Sequence, residues 1–472
     1  MRPARRAAIV VGVLLAAALA AAASVLLYLQ AQGVTPRALA PYVERRSSGH
    51  NALIVGVGAW SGAILRRLDR GADGGPYPLP SLTVGAQPEA VGQPGNKDVT
   101  VMSVDEAVQA FARALAGDTI TFAPGVYRVR KLEARRPGVK GAPIVVRAAQ
   151  PGSVTIEFHG GEGFLVAAPY WRFENLVIRG VCAPQEGCEH AFHVTGRGQG
   201  FAALNNTISD FNAHFKINGD RNGFPDDGLI ANNTLSNSTV RKTSKPVTPI
   251  DLVAASGWVV RANLVTDFVK AGGDRISYGA FAKGAARDTV FEGNVVVCEH
   301  LLRGHPGQRV GLSFGGGGTG KPYCRDGRCV TEHDAGTMRA NLVASCSDAG
   351  LHVNRSADSR ILDNTVLDTA GVQVRFPESS AWLDGNLVDG ALVARDGGRL
   401  QAGDNRSGAI ALTYLGYHPQ RRLFAEPATF DLRWKHQAPL RGAAAGPDLC
   451  GVARPASAAY GAFEDFEACV RR

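Results

Sequence analysis

Seven short segments place polar residues at equivalent positions among apolar ones, beginning at His190, Ala213, Pro249, Gly279, Gly311, Gly350 and Gly371. Each alternates as a strand does, so the apolar residues should point inward and the others outward. If the strands stack at about 4.8 Å spacing, the outward residues form two columns. The first column holds His193, Lys216, Asp251, Phe281, Ser313, His352 and Gln373, and the second holds Asn218, Lys283, Asn354 and Arg375.

Basic residues concentrate in four successive segments, at Lys283, Arg287, His352, Arg355 and Arg375. Glycines 315–318 lie beside them, and glycine on a sheet face is typical of a close ligand approach. The columns therefore predict a polar groove for an extended acidic sugar chain. The alternative is an ordinary solvated sheet face, which is polar in any case.

The longest insertion, between Asn294 and Asn341, carries His300, His305, Tyr323 and the run Glu332-His333-Asp334. We expect a loop pinned by Cys324 and Cys329 that forms a wall or lid over the columns. A surface excursion without a ligand is the alternative. Zinc held by the two cysteines and His333 is a further, weaker one, because no second cysteine pair matches.

The eight cysteines suggest four disulfides by position: Cys182 with Cys188, Cys298 with Cys346, Cys324 with Cys329, and Cys450 with Cys469. Such bonds indicate an oxidising compartment. The N-terminus agrees, because Arg2, Arg5 and Arg6 precede an uncharged run, Ala7–Leu29, that is long enough for a membrane span or a long signal peptide. Basic residues before the run favour a cytoplasmic N-terminus, with the body in the periplasm or outside the cell.

An asparagine recurs at intervals of 22 to 47 residues, and a stretch of alternating apolar residues follows it each time. The positions are Asn175, Asn206, Asn233, Asn263, Asn294, Asn341, Asn364 and Asn386. A period of this kind predicts a solenoid whose short strands gain a core by stacking. We interpret the asparagines as a structural ladder rather than as catalytic groups.

A capping box at Ser103 and Glu106 begins an amphipathic helix that Gly117 ends, and the strand from Asp118 leads to Pro124-Gly125-Val126-Tyr127. With the asparagine ladder, these features resemble the right-handed parallel β-helix superfamily, which includes pectate, alginate and chondroitin lyases and C5-epimerases. We expect an all-β fold, a single-stranded right-handed parallel β-helix (solenoid) with an N-terminal capping helix, preceded by one transmembrane helix. The expected divisions are an anchor or uncleaved signal at 1–33, a linker at 34–98, the β-helix at 99–410 and a C-terminal cap at 411–472.

The resemblance implies lyase chemistry on a uronate polymer, which needs a base, a cation against the substrate carboxylate, and an acid. Lys283 or His352 could be the base, Arg375 or Arg287 the cation, and Tyr278 the acid. The expected substrate-binding residues are Lys216, Asn218, Asp251, Asn354, Arg355, His193 and His333. Calcium often assists such lyases; Asp220, Asp226, Asp227 and Asp251 could hold it, although no loop has a recognisable ligand spacing.

We therefore expect an exported protein acting on an acidic polysaccharide, with β-elimination favoured. A C5-epimerase, a glycoside hydrolase and a non-catalytic envelope binding or assembly protein are the alternatives. Hydrolysis needs two separated carboxylates, whereas Asp226 and Asp227 are adjacent and would point to opposite faces. The net charge of +9 over 472 residues does not indicate nucleic-acid binding. We expect a monomer.

Overall fold

The computed structural model describes residues 3–69, 78–92, 95, 97–316, 318–442 and 444–471. Within these ranges the chain coils so that each turn adds one strand to each of three parallel sheets, of 12, 11 and 10 strands. This is a right-handed parallel β-helix, and the expected fold class is confirmed.

The three sheets are numbered by the order in which one turn meets them. Sheet 1 contains Lys97–Val101, Asp118–Phe122, Ile144–Ala148, Trp171–Glu174, Ala202–Leu204, Leu229–Ala231, Val259–Arg261, Val290–Glu292, Thr337–Arg339, Ser359–Leu362, Ser380–Asp384 and Arg399–Ala402. Sheet 2 contains Gly125–Val129, Val154–Phe158, Val177–Gly180, Thr207–Ser209, Thr234–Ser236, Leu264–Thr266, Val295–Val297, Leu342–Ala344, Thr365–Leu367, Leu387–Val388 and Arg406–Ser407. Sheet 3 contains Leu132–Ala134, Glu162–Val166, His190–Thr195, Ala213–Asn218, Ile250–Val253, Ile276–Lys283, Gln308–Phe314, Leu351–Asn354, Gly371–Arg375 and Ala391–Arg395.

Smaller elements complete the described chain. A short parallel sheet joins Ala286–Arg287, His333–Asp334 and Ser356–Ala357, and two antiparallel pairs join Phe424–Glu426 with Asp431–Trp434 and Leu440–Arg441 with Ala458–Ala459. The α-helices are α1 (Pro3–Gln32), α2 (Pro36–Ser47), α3 (Ala52–Leu68), α4 (Val104–Arg113) and α5 (Ile410–Thr413). Single 3-10 turns occur at Gln185–Gly187, Lys321–Tyr323, Arg421–Leu423, Pro427–Thr429 and Phe466–Cys469.

The asparagine ladder holds successive turns in register. The side-chain amide of Asn263 donates to Oδ1 of Asn294 at 3.0 Å, and the Asn263 main-chain N–H donates to the same oxygen at 3.0 Å. The pattern runs from Asn206 through Asn386 to Asn405, one turn further than expected. Each buried amide is satisfied by its neighbour, so the predicted structural role is confirmed.

Asn175 departs from the expected ladder. It lies one position earlier in its turn, with a left-handed φ of 65°, and Leu176 occupies the ladder position. Its side chain accepts from the Val91 main chain at 3.0 Å and donates to the Val91 carbonyl at 3.0 Å. Asn175 therefore holds the preceding segment, 78–92, against the outside of the coil.

Helix α4 covers the open first turn of the coil. The Ser103 hydroxyl accepts from the Glu106 main chain at 3.2 Å, and the Glu106 carboxylate accepts from the Met102 main chain at 2.7 Å, so the predicted capping box is confirmed. Phe111 packs its ring 5.2 Å from that of Trp171. The helix thereby seals an aromatic core in which Phe164, Phe192 and Phe215 stack from turn to turn.

The outer face of sheet 2 is covered. Leu82 and Val84 of segment 78–92, together with Phe430 and Phe463 of the C-terminal segment, form a second buried core against sheet 2 residues such as Val295. In sheet 3 both faces of the middle strands are covered, because every residue of Ile250–Val253 and Leu351–Asn354 is buried.

All eight cysteines lie in the described ranges and pair as predicted: Cys182–Cys188, Cys298–Cys346, Cys324–Cys329 and Cys450–Cys469. The disulfide between Cys324 and Cys329 overturns the zinc alternative, because its sulfurs are no longer available as thiolate ligands. Four disulfides indicate an oxidising, extracellular or periplasmic environment.

One helix among the described residues is long and apolar enough to cross a membrane, over Val10–Gln32 near the N-terminus. It fits either a membrane anchor or a signal peptide. Its apolar side chains extend away from the coil, while its last turn contacts the coil: the Gln30 side chain accepts from the Ala411 main chain at 3.2 Å.

Candidate functional site

The register of sheet 3 produces both expected columns. His193 pairs with Lys216, Lys216 with Asp251, and Asp251 with Phe281. The column continues through Ser313, His352 and Gln373. In the second column Asn218 and Lys283 are both paired with Val253, and Asn354 is paired with Arg375. Residues far apart in the chain therefore align in one strip, as the alternation predicts. The strip is largely buried rather than exposed, because Asp251, Phe281, Ser313, His352, Gln373 and Asn354 are each at most 6% exposed.

The first part of this strip is internally neutralised. His193 contacts the Glu162 carboxylate at 2.6 Å through Nδ1 and the Asn218 side-chain oxygen at 2.9 Å through Nε2. The Lys216 ammonium donates to both oxygens of Asp251 at 3.0 Å, and Asp251 is buried. These predicted substrate-binding groups lie on the expected face, but they already bond to one another.

Lys283 lies next along the strip and is half-buried. Its ammonium stands 4.3 Å from the ring centroid of Phe281, and the described residues offer it no carboxylate within ion-pair distance. Burial lowers the pKa of Lys283 below its ordinary value; Asp251 opposes this effect and Lys216 adds to it. Lys283 is thus the strip's most readily deprotonated amine.

The glycines beside Lys283 have a geometric role. Gly315 has φ +73°, and a side chain there would collide with the Asn354 carbonyl. Glu332, which is buried, accepts from the main chain of Gly284 at 3.0 Å and of Thr319 at 2.7 Å. The glycine segment is therefore held close to the sheet by one carboxylate that follows the disulfide loop.

That disulfide loop forms a wall on the Lys283 side. The Arg325 main chain donates to the Gly284 carbonyl at 2.9 Å, and its guanidinium makes a two-point contact with Asp226 at 2.6 and 2.8 Å. The guanidinium also lies 4.4 Å from the Phe224 ring centroid. The Cys324–Cys329 hairpin thus spans back over earlier turns.

A groove of about 870 Å³ begins further along sheet 3. Its floor includes Tyr278, His352, Gln373, Arg375 and Arg395. Its opposite wall is built by the last turn of α1 and by α2, through Tyr28, Leu29, Leu39, Tyr42 and Arg45. Four arginines and one aspartate, Asp348, are the charged side chains among its described lining residues, so the groove favours an anion.

His352 lies at the centre of this floor. The residue is 6% exposed, and neither ring nitrogen has a hydrogen-bond partner among the residues that the structure describes. Burial lowers the pKa of His352 to about 3, and the positive charges of Arg375 and Arg395 act in the same direction. The imidazole is therefore neutral at physiological pH and has both nitrogens free to accept or donate.

Arg375 and Arg395 occupy paired positions on neighbouring strands. Arg375 donates to Asp396 at 2.8 Å through Nε, and its guanidinium lies 5.0 Å from the Phe376 ring centroid. The Arg355 guanidinium lies 5.4 Å from the same ring centroid. Asn354 is buried in the column between Lys283 and Arg375. The three arginines concentrate positive charge at the end of the groove beside His352.

Tyr278 faces the same groove from the strand Ile276–Lys283. Burial raises the pKa of Tyr278 to about 12, and the charge of Asp348 contributes. Asp348 itself accepts from the Gln308 side chain at 3.2 Å, and burial raises its pKa as well. Tyr278 therefore keeps its phenolic proton and can donate it.

Two predicted site residues lie elsewhere. His333 is fully buried: its ring stacks 4.5 Å from that of Phe314, and its Nε2 contacts the Thr289 hydroxyl at 2.9 Å. This placement inside the coil removes His333 from the substrate-binding set. Arg287 is exposed in the short extra sheet, beside Asp288 at 3.0 Å, and does not line the groove.

The acidic residues considered for calcium or hydrolysis are occupied or separated. Asp226 is held by Arg325 and Asp251 by Lys216, while Asp220 accepts from the Asn222 main chain at 2.6 Å. Asp220, Asp226, Asp227 and Asp251 form no metal-ligand group among the described residues. The arrangement does not fit a site built from these four carboxylates.

Arg395 and the helical wall are the parts of the site that the sequence reasoning missed. The sequence does contain a pattern that could have identified Arg395. The pattern of Gly371–Arg375 is repeated one turn later, in Gly390-Ala391-Leu392-Val393-Ala394-Arg395. No sequence pattern could have identified the helical wall, because the docking of α1 and α2 depends on contacts between distant parts of the chain.

The fold and strip together define the class: a parallel β-helix with a basic groove on one sheet. No protein-family model and no curated protein matches the chain. Solved structures similar to it include the pectate lyase Pel9A, at 15% identity and a TM-score of 0.47 over 76% of this chain and 90% of that one. A family 6 polysaccharide lyase from Pseudopedobacter saltans has 13% identity and a TM-score of 0.36 over 72% and 97% of the chains. An alginate lyase from Paenibacillus has 13% identity and a TM-score of 0.34 over 66% and 99%.

Proposed function

We propose that the protein binds an acidic polysaccharide in the groove of sheet 3 and cleaves it by β-elimination. One observation carries this proposal: a neutral imidazole, His352, stands with both nitrogens unpartnered beside Arg375 and Arg395. A buried polar group without a protein partner is destabilising, and a ligand that hydrogen-bonds to it removes that cost.

The groups supply the three parts of the reaction. Arg375 and Arg395 bind the carboxylate of a uronate, which stabilises the charge that develops when the C5 proton leaves. A nitrogen of His352 takes that proton, the electron pair forms the C4=C5 double bond, and the C4–O bond breaks. Tyr278 gives its proton to the leaving oxygen. His352 then passes its proton to the Tyr278 phenolate through solvent, which restores both groups.

Burial is the largest cause of the low pKa of His352, and the charges of Arg375 and Arg395 add to it. A bound carboxylate neutralises these two charges, which raises the pKa of His352 by that smaller part of the shift and makes it a stronger base. Lys283 is the alternative base, since burial also lowers its pKa; it shares a strand with Tyr278 but, unlike Tyr278, does not line the groove.

Hydrolysis is less well supported. It needs an acid and a second carboxylate at a set separation, and Asp348 is the one carboxylate among the groove's described lining residues. A non-catalytic binder is the second candidate, favoured by the ion pairs that already neutralise Lys216 and Arg375. A C5-epimerase shares the proton abstraction and differs only in returning the proton.

The test is incubation of the full-length protein with alginate, polygalacturonate and glycosaminoglycans, followed by the absorbance of the unsaturated product. The wild type should produce absorbance with one of them, and His352→Ala and Arg395→Ala should abolish it. Arg261→Ala, which removes an exposed arginine of sheet 1, is the matched control and should leave the rate unchanged. Binding without absorbance, lost in Arg395→Ala, would support the binder instead. Incorporation of solvent deuterium at C5 without chain cleavage would support the epimerase.

A further inference from the structure

Helix α3 (Ala52–Leu68) is apolar on nearly every side, yet only glycines of this helix are buried. Gly58 and Gly62 face α2, next to Ser47 and Glu44. Leu53, Val57, Trp60 and Ile64 follow helical spacing and lie on the opposite side. Leu53 is 77% exposed and Trp60 is 67% exposed.

A contiguous apolar surface of this kind indicates an interaction site. A helix that is hydrophobic all round belongs in a protein core or a membrane, and α3 is not in the core. Its uncharged run, Ala52–Leu65, has 14 residues. At 1.5 Å per residue this run is shorter than the roughly 30 Å hydrocarbon core of a bilayer, so α3 cannot span it alone.

The position of α3 in the chain indicates what this apolar surface binds. The candidate membrane span in α1 ends at Gln32, and α2 begins at Pro36. Helix α3 packs directly on α2 through Gly58 and Gly62. Arg66 and Arg67 end α3, and Arg66 is tied to Glu44 of α2. An apolar face with a Trp and with arginines at one end is typical of a helix in the interface of a bilayer with anionic headgroups.

We propose that the exposed face of α3 lies in the surface of the same bilayer that α1 enters, with Leu53, Val57, Trp60 and Ile64 at the boundary of headgroups and acyl chains. The partner is a lipid surface, and a second copy of the chain is the rival occupant. This proposal rests on α1 remaining in a membrane and not on turnover in the groove, so either can fail without the other.

The experiment measures how deep the side-chain positions of α3 lie in the bilayer, because α1 alone would keep the protein bound to vesicles. Single cysteines replace Leu53 or Trp60 in the full-length protein, and each carries an environment-sensitive dye in vesicles of phosphatidylcholine and phosphatidylglycerol. Met102→Cys is the matched control, since Met102 is also exposed, at 73%, but lies at the first turn of the coil.

At positions 53 and 60 we expect blue-shifted emission, severalfold stronger quenching by nitroxides on lipid acyl chains than at position 102, and weaker quenching by aqueous iodide. Strong iodide quenching at 53 and 60 would overturn the proposal. Blue-shifted emission without acyl-chain quenching, together with disulfide formation between two chains of unlabelled Trp60→Cys, would overturn it in favour of a second copy. Omitting phosphatidylglycerol should move both labels toward the aqueous phase.

Discussion

Arg37 and Asp69 form an ion pair that is buried on both sides, and it joins the first turn of α2 to the residue that follows α3. The Arg37 Nη2 donates to Asp69 Oδ1 at 3.1 Å, and Nη1 donates to the main-chain oxygen of Asp368 in the coil. The two helices are thus fixed to each other and to the β-helix at one point.

Asp69→Asn should loosen the α2 and α3 helices. Removing one partner of a buried pair leaves the other charge uncompensated, which destabilises by about 3–5 kcal/mol. Hydrogen exchange should rise over residues 36–68 and stay unchanged in the strands of the coil. Replacing both partners, in Arg37→Met with Asp69→Leu, should restore part of the protection. Equal exchange in wild type and Asp69→Asn would contradict this role of the pair.

The same junction should weaken in acid through Asp368. Burial opposes ionisation of Asp368, but Arg421 and Arg37 outweigh burial and lower its pKa. A lowered pKa gives stability that is present above the unfolded value of about 3.9 and is lost as the pH falls through the folded pKa. The Tm difference between wild type and Asp368→Asn should therefore be large at neutral pH and shrink below about pH 4. A Tm difference that stays constant with pH would show that ionisation of Asp368 does not stabilise the folded protein.

His352→Leu should raise stability while it removes activity. The imidazole leaves two buried nitrogens unpartnered, and relieving that penalty gains about 1–3 kcal/mol. Denaturant unfolding at pH 7 measures the gain.

The pH dependence of His352→Leu provides a second check. Because the folded pKa of His352 is about 3, only the unfolded chain takes up this proton as the pH falls below about 6.5. Wild type should lose stability relative to the variant over that range. A variant less stable than wild type at every pH would indicate that His352 is a packing residue.

Lys283 should titrate below the other lysines. Burial lowers its pKa, and Lys216 adds to the effect. Reductive methylation with a carbon-13 label and titration by NMR should show one dimethyl-lysine signal that shifts at lower pH than the rest. The signal should be missing in Lys283→Arg. Lys216→Ala removes a neighbouring positive charge and should move the remaining titration upward.

Asn294→Ala should destabilise the middle of the coil. The substitution leaves the main-chain N–H of Asn263 without its acceptor and removes the donor to the Val260 carbonyl, whereas the Asn263 side-chain amide keeps the Ile230 and Arg261 carbonyls. An unsatisfied buried N–H costs about 1–3 kcal/mol and a lost hydrogen bond about 0.5–1.5 kcal/mol, so the loss should reach about 2 kcal/mol or more. Asn222→Ala, at an exposed turn, is the control. A loss below about 1 kcal/mol would mean that water replaces the missing amide.

The repetition of one pattern made the coil predictable. A fixed asparagine per turn and the alternation of each strand determine which residues become neighbours, so the pairing of His352 with Ser313 and Gln373 could be derived from spacing alone. The four disulfides followed from cysteine positions in the same way.

The rest of the site depends on contacts that spacing does not encode. His333 lies in a strand of two residues, too short for alternation to indicate its direction, and its ring turns inward onto Phe314. Nothing in the sequence pattern indicates that α2 and α3 pack through Gly58 and Gly62. The strength of each positive charge also depends on partners, such as Asp396 for Arg375, that only the fold brings together.

The contribution of Tyr28, Leu29 and Gln32 to the groove wall ties its shape to the intactness of the first helix. Removal of the residues before Gly33 would delete this part of the wall and leave α2 alone to bound the groove on that flank.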